Sequence, residues 1–282
     1  MLPTILEYPF RITNAIGDRI SGDLRHQRGA RHAPVIVICH GFTAFKDWGP
    51  FPYFGRRFAE HGFTTLTFNF SHNGIGQNPR KFTEFEKFSE NTIEKELDDL
   101  RAVVDALSSG TVGPGVADPS RIGVVGHSRG GAIALLGAAE DQRIHAVAAW
   151  ATVATVHRYT KHQREIWERQ GYLPVSVKSS RTRLRFGLNV LRDLEAHRER
   201  YDLERAMRRM HIPILLLHGK ADVSVRPEEP MRLFQASNKS TTELVLLDRV
   251  GHAFGAKHPF KGHHPTVDHV VDLTAQWFTL HL

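Results

Sequence analysis

Gly126-His127-Ser128-Arg129-Gly130 is the stretch that decides the fold of this chain. The apolar run 121–125 before it predicts a strand, and the Ala-rich run 131–139 after it predicts a helix. A serine at the apex of a sharp strand-turn-helix connection is typical of a nucleophile elbow, whose flanking glycines let strand and helix pass close together. The short pattern also arises by chance, so the prediction that Ser128 is a nucleophile needs further support.

That support comes from the ends of two later strands. The apolar strand 213–217 leads to Asp222, and the strand 243–247 leads to His252. Ser128, Asp222 and His252 therefore follow one another in the chain order Ser, Asp, His, each in a loop after a strand. Open α/β sheets place their chemistry at such strand ends.

The roles of these residues follow from their chemistry. A serine hydroxyl is a poor nucleophile at neutral pH and needs a base within hydrogen-bond reach, which we predict to be His252. A buried carboxylate must hold that imidazole in one tautomer and stabilise its positive charge, and we assign this task to Asp222. Asp248 also precedes His252 at a strand end and is the competing acid. Asp222 is preferred because Asp248 shares one short loop with the histidine.

Two backbone amides should complete the site as an oxyanion hole. In this architecture the residue after the nucleophile, here Arg129, supplies one amide, and the loop after an earlier strand supplies the other. The buried strand 35–39 opens into His40-Gly41-Phe42, so we assign the second amide to Phe42, with Thr43 as the alternative.

The pattern of elements predicts an α/β fold. Strands that alternate with helices form a mostly parallel sheet covered on both faces, here preceded by a hairpin of segments 8–13 and 19–25. The strands after the hairpin are predicted at 35–39, 64–70, 121–125, 146–151, 214–217 and 243–247. The helices are predicted at 52–61, 92–107, 131–139, 228–236 and 267–280.

One interval breaks this alternation. Residues 151–214 are far more than one crossover helix requires, so we interpret residues 155–211 as a helical cap inserted into a core domain of residues 1–154 and 212–282. Turns are expected within it at Gly171, Pro174 and Gly187. Its aromatic residues could line an acyl pocket or pack the cap onto the body; they are Tyr159, Trp167 and Tyr172.

The cap carries the net charge of the chain. Residues 155–211 contain fourteen Lys and Arg against seven Asp and Glu, an excess equal to the net charge of +7 of the whole sequence. Either a basic lid attracts acidic substrates, or the arginines are a solvated surface that pairs locally. The local partners in the second interpretation are Glu195, Glu199, Asp202 and Glu204.

Composition limits the remaining possibilities. Hydrophobic content of 41% and charged content of 24% are ordinary for a globular protein. The N-terminus lacks a signal-peptide pattern and no run reaches transmembrane length, so we expect a cytoplasmic protein without a membrane span. The single Cys39 excludes an internal disulfide and is interpreted as a small hydrophobic residue. No nucleic-acid recognition motif accompanies the basic charge, and a homo-oligomer stays open.

Histidine content raises the question of a metal. Of the eighteen histidines, His258, His263 and His264 are the closest to a cluster. Asp268 is the one carboxylate close to them, and two nearby prolines break any helix that would align the imidazoles. We therefore predict neither a metal site nor a cofactor.

Taken together, these motifs resemble the α/β-hydrolase superfamily over nearly the full length of the chain. Within it, the hairpin start, His40-Gly41-Phe42-Thr43, Phe68-Asn69-Phe70 and the insertion before His218-Gly219-Lys220-Ala221-Asp222 are similar to bacterial feruloyl and cinnamoyl esterases. They are also similar to the related dienelactone-hydrolase and prolyl-oligopeptidase-like groups. One departure is that dienelactone hydrolases of the best-known type use a cysteine nucleophile, whereas this elbow holds a serine.

The resemblance implies the same roles that the residues suggest: Ser128 as nucleophile, Asp222 as acid, His252 as base, and Phe42 and Arg129 as oxyanion donors. We expect a cofactor-independent serine hydrolase that cleaves small-molecule carboxylic esters of small or aromatic acyl groups through an acyl-enzyme.

Several alternatives stay open. The chain could be a serine peptidase of the prolyl-oligopeptidase type, although those enzymes usually carry a large N-terminal propeller, for which the segment before Val35 leaves no room. It could also be a binding protein that keeps the fold without the chemistry. The side chain of Arg129 could reach a substrate carboxylate or pair with an acidic residue beneath the cap.

Overall fold

An eight-stranded sheet lies at the centre of the structure, a computed structural model that describes residues 3–177 and 182–282. Its strands are β1 (Ile5–Thr13), β2 (Arg19–Gln27), β3 (Ala33–Cys39), β4 (Thr64–Asn69), β5 (Ala117–His127), β6 (Ile144–Trp150), β9 (Ile214–Gly219) and β10 (Thr242–Leu247). A separate hairpin consists of β7 (Tyr172–Ser176) and β8 (Arg183–Gly187). The order across the sheet is β1-β2-β4-β3-β5-β6-β9-β10. The β1–β2 and β2–β4 pairs are antiparallel and the others are parallel.

Helices cover both faces of this sheet. The helices of the described residues, including those that pack on the separate hairpin, are α1 (Phe51–Glu60), α2 (Phe85–Ser89), α3 (Ile93–Ser108), α4 (Arg129–Glu140), α5 (Lys161–Gln170), α6 (Leu188–Ala196), α7 (Leu203–Arg209), α8 (Glu228–Ala236) and α9 (Pro265–His281). Alternate residues of β3 enter opposite cores: Val35 and Val37 pack with α3, α4 and α7, whereas Ile36 and Ile38 pack with α1 and α9. Burial on both faces explains why these strands are almost wholly apolar. The predicted α/β fold with a mostly parallel sheet is confirmed.

Predicted and observed elements agree in type and order along the core, and their ends differ by a few residues. Strand β5 begins at Ala117, before the predicted residue 121, because Ala117 and Asp118 pair with Ala33 and Pro34 of β3. Such pairing between distant segments has no local pattern in the sequence. Helix α3 begins after Thr92, whose Oγ1 accepts a hydrogen bond from the Lys95 amide, as expected of an N-cap.

The segment between β6 and β9 departs from the prediction in its middle. It contains the helices α5, α6 and α7, but β7 and β8 form an antiparallel hairpin between α5 and α6. Pro174 lies inside β7 and not at a turn, whereas Gly171 does end α5, with φ at +75°. Gly187 is the N-cap of α6. Two of the fourteen basic residues of the predicted cap, Lys178 and Arg181, lie outside the described residues.

An aromatic cluster holds this segment onto the body of the protein. Buried side chains of the hairpin, including Leu184 and Phe186, pack with Trp167 of α5 and with Phe45 and Phe88 of the body. Along each strand the apolar side chains alternate with exposed ones, so one face of the hairpin is buried. No helix among residues 3–177 and 182–282 is long and apolar enough to cross a membrane.

Candidate active site

Ser128 occupies the turn between β5 and α4. Its φ of 57° and ψ of −120° lie in a region that residues other than glycine rarely adopt. A Cβ atom on Gly126 would lie 2.1 Å from the carbonyl oxygen of Gly130. A Cβ atom on Gly130 would lie 2.4 Å from the carbonyl oxygens of Cys39 and His40. Both positions therefore require glycine, because a side chain there would overlap with backbone carbonyl groups. The close backbone packing holds Ser128 in its strained turn.

The predicted base and acid are in direct contact. Nδ1 of His252 lies 2.7 Å from Oδ2 of Asp222. A carboxylate only accepts hydrogen bonds, so Nδ1 carries a hydrogen, and in the neutral form of the ring Nε2 is the nitrogen with the free lone pair. His252 and Ser128 line one cavity. The structure thus brings together the three residues that the sequence placed in separate loops.

The environment of Asp222 keeps its carboxylate charged. Burial by itself raises the pKa of Asp222, but hydrogen bonds from His218, from His252 and from the Val225 amide outweigh burial and hold the pKa well below its usual range. The amides of Ser224 and Val225 donate to Oδ1 at 2.8 and 2.9 Å. A charged carboxylate in this position can stabilise an imidazolium.

The competing acid lies elsewhere. Oδ1 of Asp248 is 2.7 Å from Nζ of Lys220, and the Asp248 side chain is 78% exposed. His252 therefore contacts Asp222 and not Asp248.

His218, at the end of β9, also contacts Asp222, and the sequence analysis gave it no role. Its Nε2 donates to the carbonyl oxygen of Val225 at 2.9 Å and lies 3.3 Å from Oδ2 of Asp222. The His218 side chain is fully buried. These contacts fix the loop between Asp222 and Val225, on which the direction of the carboxylate depends.

His127, inside the elbow, supports the loop of His252. The two rings are 4.8 Å apart, and Nε2 of His127 donates to the carbonyl oxygen of His252 at 2.9 Å. Burial, followed by the nearby His252, lowers the pKa of His127 to about 3, so its ring is neutral. The variable position of a Gly-x-Ser-x-Gly pattern gives no indication of this contact, so it could not be predicted from the sequence.

Both predicted oxyanion donors border the cavity of Ser128. Arg129 is the first residue of α4, and amides in the first turn of a helix have no intrahelical partner. A Cβ atom on Gly41 would lie 3.3 Å from Cβ of Ser128, so the loop of Phe42 runs directly beside the elbow. The lining of this cavity includes Phe42 but not Thr43.

The cavity itself has a volume of about 160 Å³ and mostly apolar walls. Side chains from both the body and the segment between β6 and β9 form it, among them Phe42, Ile93, Val153, Val156, Val190 and Leu194. Val190 and Leu194 belong to α6, so this segment forms part of the wall.

The three aromatic residues of that segment, Tyr159, Trp167 and Tyr172, lie in different surroundings. Trp167 is fully buried, with its ring 5.0 Å from that of Tyr159 and 5.9 Å from that of Phe186. Tyr159 lines the cavity of Ser128. The ring of Tyr172 lies 4.5 Å from the guanidinium of Arg185. Packing therefore accounts for Trp167, and only Tyr159 of the three borders this cavity.

The side chain of Arg129 is held by an acidic partner. Its Nε donates to Oε2 of Glu96 at 2.9 Å, and its guanidinium lies 5.5 Å from the centroid of the Phe42 ring. The Glu96 side chain is 4% exposed and also accepts a hydrogen bond from Asn91 at 2.8 Å. Of the two alternatives for the Arg129 side chain, contact with a substrate carboxylate or pairing with an acidic residue, the structure shows the pairing.

We expect Arg129→Met to lower the free energy of unfolding by about 3–5 kcal/mol, because it leaves the buried charge of Glu96 without its partner. The double substitution R129M/E96Q should cost less than R129M alone. Arg101→Met is the matched control, since Arg101 is 44% exposed and pairs with Asp98 at the surface. It should cost about 1 kcal/mol or less. Urea denaturation measures all three, and equal losses for R129M and R101M would contradict this account.

The three histidines of the C-terminal loop, His258, His263 and His264, have separate hydrogen-bond partners. Nδ1 of His263 lies 2.6 Å from Oδ2 of Asp268, whereas His258 and His264 accept hydrogen bonds from separate backbone amides.

Two carboxylates and a histidine, distant in the sequence, form another cluster. Carboxylate and imidazole atoms of Glu94, Asp193 and His197 lie within 4.8 Å of one another. Arg200 contacts Glu94 at 2.6 Å, and the hydroxyl of Tyr201 donates to Asp193 at 2.9 Å. These contacts make the group part of an ion-pair network between α3, α6 and the chain that follows α6.

The sequence profile of the prolyl oligopeptidase family matches residues 58–282. Among curated proteins, thiohydrolase aneE of Aspergillus aculeatus is 30% identical over 121 residues, which cover 42% of this chain and 34% of that protein. The chain thus spans about a third of the length of the curated relatives it matches.

Solved structures share the fold. The α/β hydrolase GrgF from Penicillium sp. sh18 superposes with a TM-score of 0.70 at 20% identity, covering 98% of this chain and 99% of that one. Est1E from Butyrivibrio proteoclasticus, with ferulic acid bound, superposes with a TM-score of 0.70 at 22% identity, covering 96% and 98%. These likenesses establish the α/β-hydrolase fold. With the profile match over most of its length, the chain belongs to the prolyl oligopeptidase family.

Proposed function

We propose that this protein is a hydrolase, specifically a serine carboxylesterase that cleaves carboxylic esters of small or aromatic acyl groups through an acyl-enzyme. The observation that carries the proposal is the 2.7 Å contact between His252 Nδ1 and Asp222 Oδ2 at the cavity of Ser128. It leaves Nε2 of the imidazole as the atom that can take the proton of the serine.

In the proposed reaction, Oγ of Ser128 attacks the ester carbonyl carbon while Nε2 of His252 takes the hydroxyl proton. The amides of Phe42 and Arg129 stabilise the oxyanion. His252 then protonates the departing alcohol and later activates the water that releases the acid. Asp222 stays ionised throughout and stabilises the imidazolium.

The size and lining of the cavity support the proposed substrates. A volume of about 160 Å³ with apolar walls suits a small or aromatic acyl group. The exposed Phe42 ring, 5.2 Å from that of Phe186, offers an aromatic surface. We also propose that residues 155–211 act as a lid, because α6 contributes to the cavity wall.

Two observations favour other substrates of the same machinery. Membership of the prolyl oligopeptidase family favours a peptidase. The name of thiohydrolase aneE favours thioester cleavage. Peptide, thioester and ester cleavage all need a nucleophile, a base and an oxyanion hole, so the substrate must be tested directly.

We expect covalent labelling of the protein by a fluorophosphonate and hydrolysis of p-nitrophenyl butyrate and methyl ferulate. An aminoacyl p-nitroanilide and a butyryl thioester, measured beside the esters, separate the alternatives. The esters should have a higher kcat/KM than the anilide because the cavity is small and apolar. A higher kcat/KM for the butyryl thioester than for the butyrate ester would establish a thioesterase. Faster cleavage of the anilide would establish the peptidase. Absence of both labelling and turnover would indicate a binding protein.

A further inference from the structure

A second cavity adjoins the cavity of Ser128. This outer cavity has a volume of about 390 Å³ and shares the side chains of Tyr159 and Leu194 with the inner one. It lies within the segment of residues 155–211, between the chain that precedes α5, α5 itself and α6. Tyr159 and Leu194 therefore lie between the two cavities, and a substrate longer than the inner cavity would reach the outer one by passing these two side chains.

Two arginines without carboxylate partners line the outer cavity. They are Arg164 of α5 and Arg198, just after α6, and neither forms an ion pair within residues 3–177 and 182–282. Other arginines of the same segment contact a glutamate at 2.5–2.8 Å: Arg158, Arg200 and Arg205. Local pairing accounts for those three residues but not for the two that face the outer cavity.

His157 adds a third polar group to this wall. Its Nε2 is buried and has no hydrogen-bond partner in the described part of the chain. A buried nitrogen without a partner costs free energy unless a bound molecule or water satisfies it. Burial, then the charges of Arg198 and Arg164, lower the pKa of His157.

Glu195 opposes these positive charges. It is the one carboxylate among the residues that line the outer cavity, whose lining also includes the two guanidinium groups. The two positive charges outnumber the one negative charge, so the lining favours a bound anion. Removing the carboxylate of Glu195 should strengthen the binding of an anion, whereas removing an arginine should weaken it.

We propose that the outer cavity binds a carboxylate at the far end of an ester whose scissile carbonyl lies at Ser128. Guanidinium groups bind carboxylates by charge-assisted hydrogen bonds, and the apolar inner cavity accepts the chain between the two ends. The preferred substrates are then esters with an apolar chain and a terminal acid. This inference rests on the proposed esterase function and names its substrate class.

The experiment compares charged and neutral esters at about 0.01 M salt, where screening is weakest. The acyl-side pair is p-nitrophenyl hydrogen suberate and p-nitrophenyl methyl suberate. The alcohol-side pair is the butyrate ester of a hydroxyalkanoic acid and the methyl ester of that compound. We expect the charged member of one pair to have a kcat/KM about tenfold above its neutral partner. The pair that shows this preference tells whether the acyl or the alcohol end reaches the outer cavity.

Charge-removing variants locate the effect. Arg164→Gln and Arg198→Gln should each lower the charged-to-neutral ratio about threefold or more, and Glu195→Gln should raise it. Arg169→Gln is the matched control, because Arg169 is an exposed residue of α5 that lines neither cavity. This control should leave the ratio unchanged.

The outcomes separate the two proposals. Hydrolysis of the neutral esters with a ratio near one for both pairs would overturn the outer site and leave the esterase standing. An equal decrease in R169Q and R198Q would also overturn it, because the effect would then come from the general field of the segment. No hydrolysis of any ester, together with no fluorophosphonate labelling, would overturn both proposals.

Discussion

Ser128→Ala should abolish ester turnover and leave the fold unchanged. The substitution removes one oxygen atom, while the backbone contacts that shape the elbow, at Gly126 and Gly130, do not involve the serine side chain. Alanine adopts the positive φ at a cost similar to that of serine, so stability should be retained. Loss of a triad member typically lowers kcat by about 10⁴ to 10⁶, because the members act as a unit.

Steady-state hydrolysis of p-nitrophenyl butyrate and labelling by a fluorophosphonate measure this loss independently. Ser120→Ala provides the control: Ser120 lies in the same strand, β5, and its hydroxyl donates to Asp118 at the surface. The control should keep both turnover and labelling. If S128A kept turnover within about tenfold of the unmodified protein, Ser128 would not be the nucleophile.

The candidate site could be predicted because it lies at the ends of parallel strands. Ser128, Asp222 and His252 follow β5, β9 and β10, and all three strands point the same way across one half of the sheet. Strand ends are visible in a sequence as apolar runs followed by glycine and polar residues. Parallel pairing then brings the three loops to one edge of the sheet.

Supporting contacts could not be predicted because they join distant segments. The hydrogen bond from His127 to the carbonyl of His252 links residues on two different loops. The contact of His218 with Asp222 depends on how the chain turns after β9. Neither contact leaves a pattern of spacing or composition in the chain.

The hairpin of β7 and β8 shows a different limit. Its buried residues alternate with exposed ones, but each strand is short and β7 contains Pro174, which argues against a strand. The hairpin forms because its apolar face packs on Phe88 and Trp167. Tertiary packing thus decides a segment whose local propensities predict helices and turns.

The second large effect concerns the acid, and we expect Asp222→Asn to lower kcat by about 10⁴ while Asp248→Asn leaves it within about twofold. The asparagine can keep both backbone hydrogen bonds through its Oδ1, so the loop should stay in place. Its Nδ2, however, would donate toward Nδ1 of His252. The imidazole would then carry its hydrogen on Nε2, the atom that must accept the proton of Ser128.

Asp248 has no comparable contact, since its exposed carboxylate pairs with Lys220 at the surface. D248N is therefore the matched control, with the same chemical change in a residue that also precedes His252. Steady-state kcat at neutral pH compares the two variants, and circular dichroism establishes that both are folded. Both variants lose one carboxylate charge, so a selective loss in D222N cannot come from a change in net charge. It comes from the buried contacts of Asp222, of which the contact with His252 sets the tautomer and charge of the imidazole. A greater loss of kcat in D248N than in D222N would show that Asp248 is the acid of the triad. The buried contact of His252 with Asp222 would then be only structural.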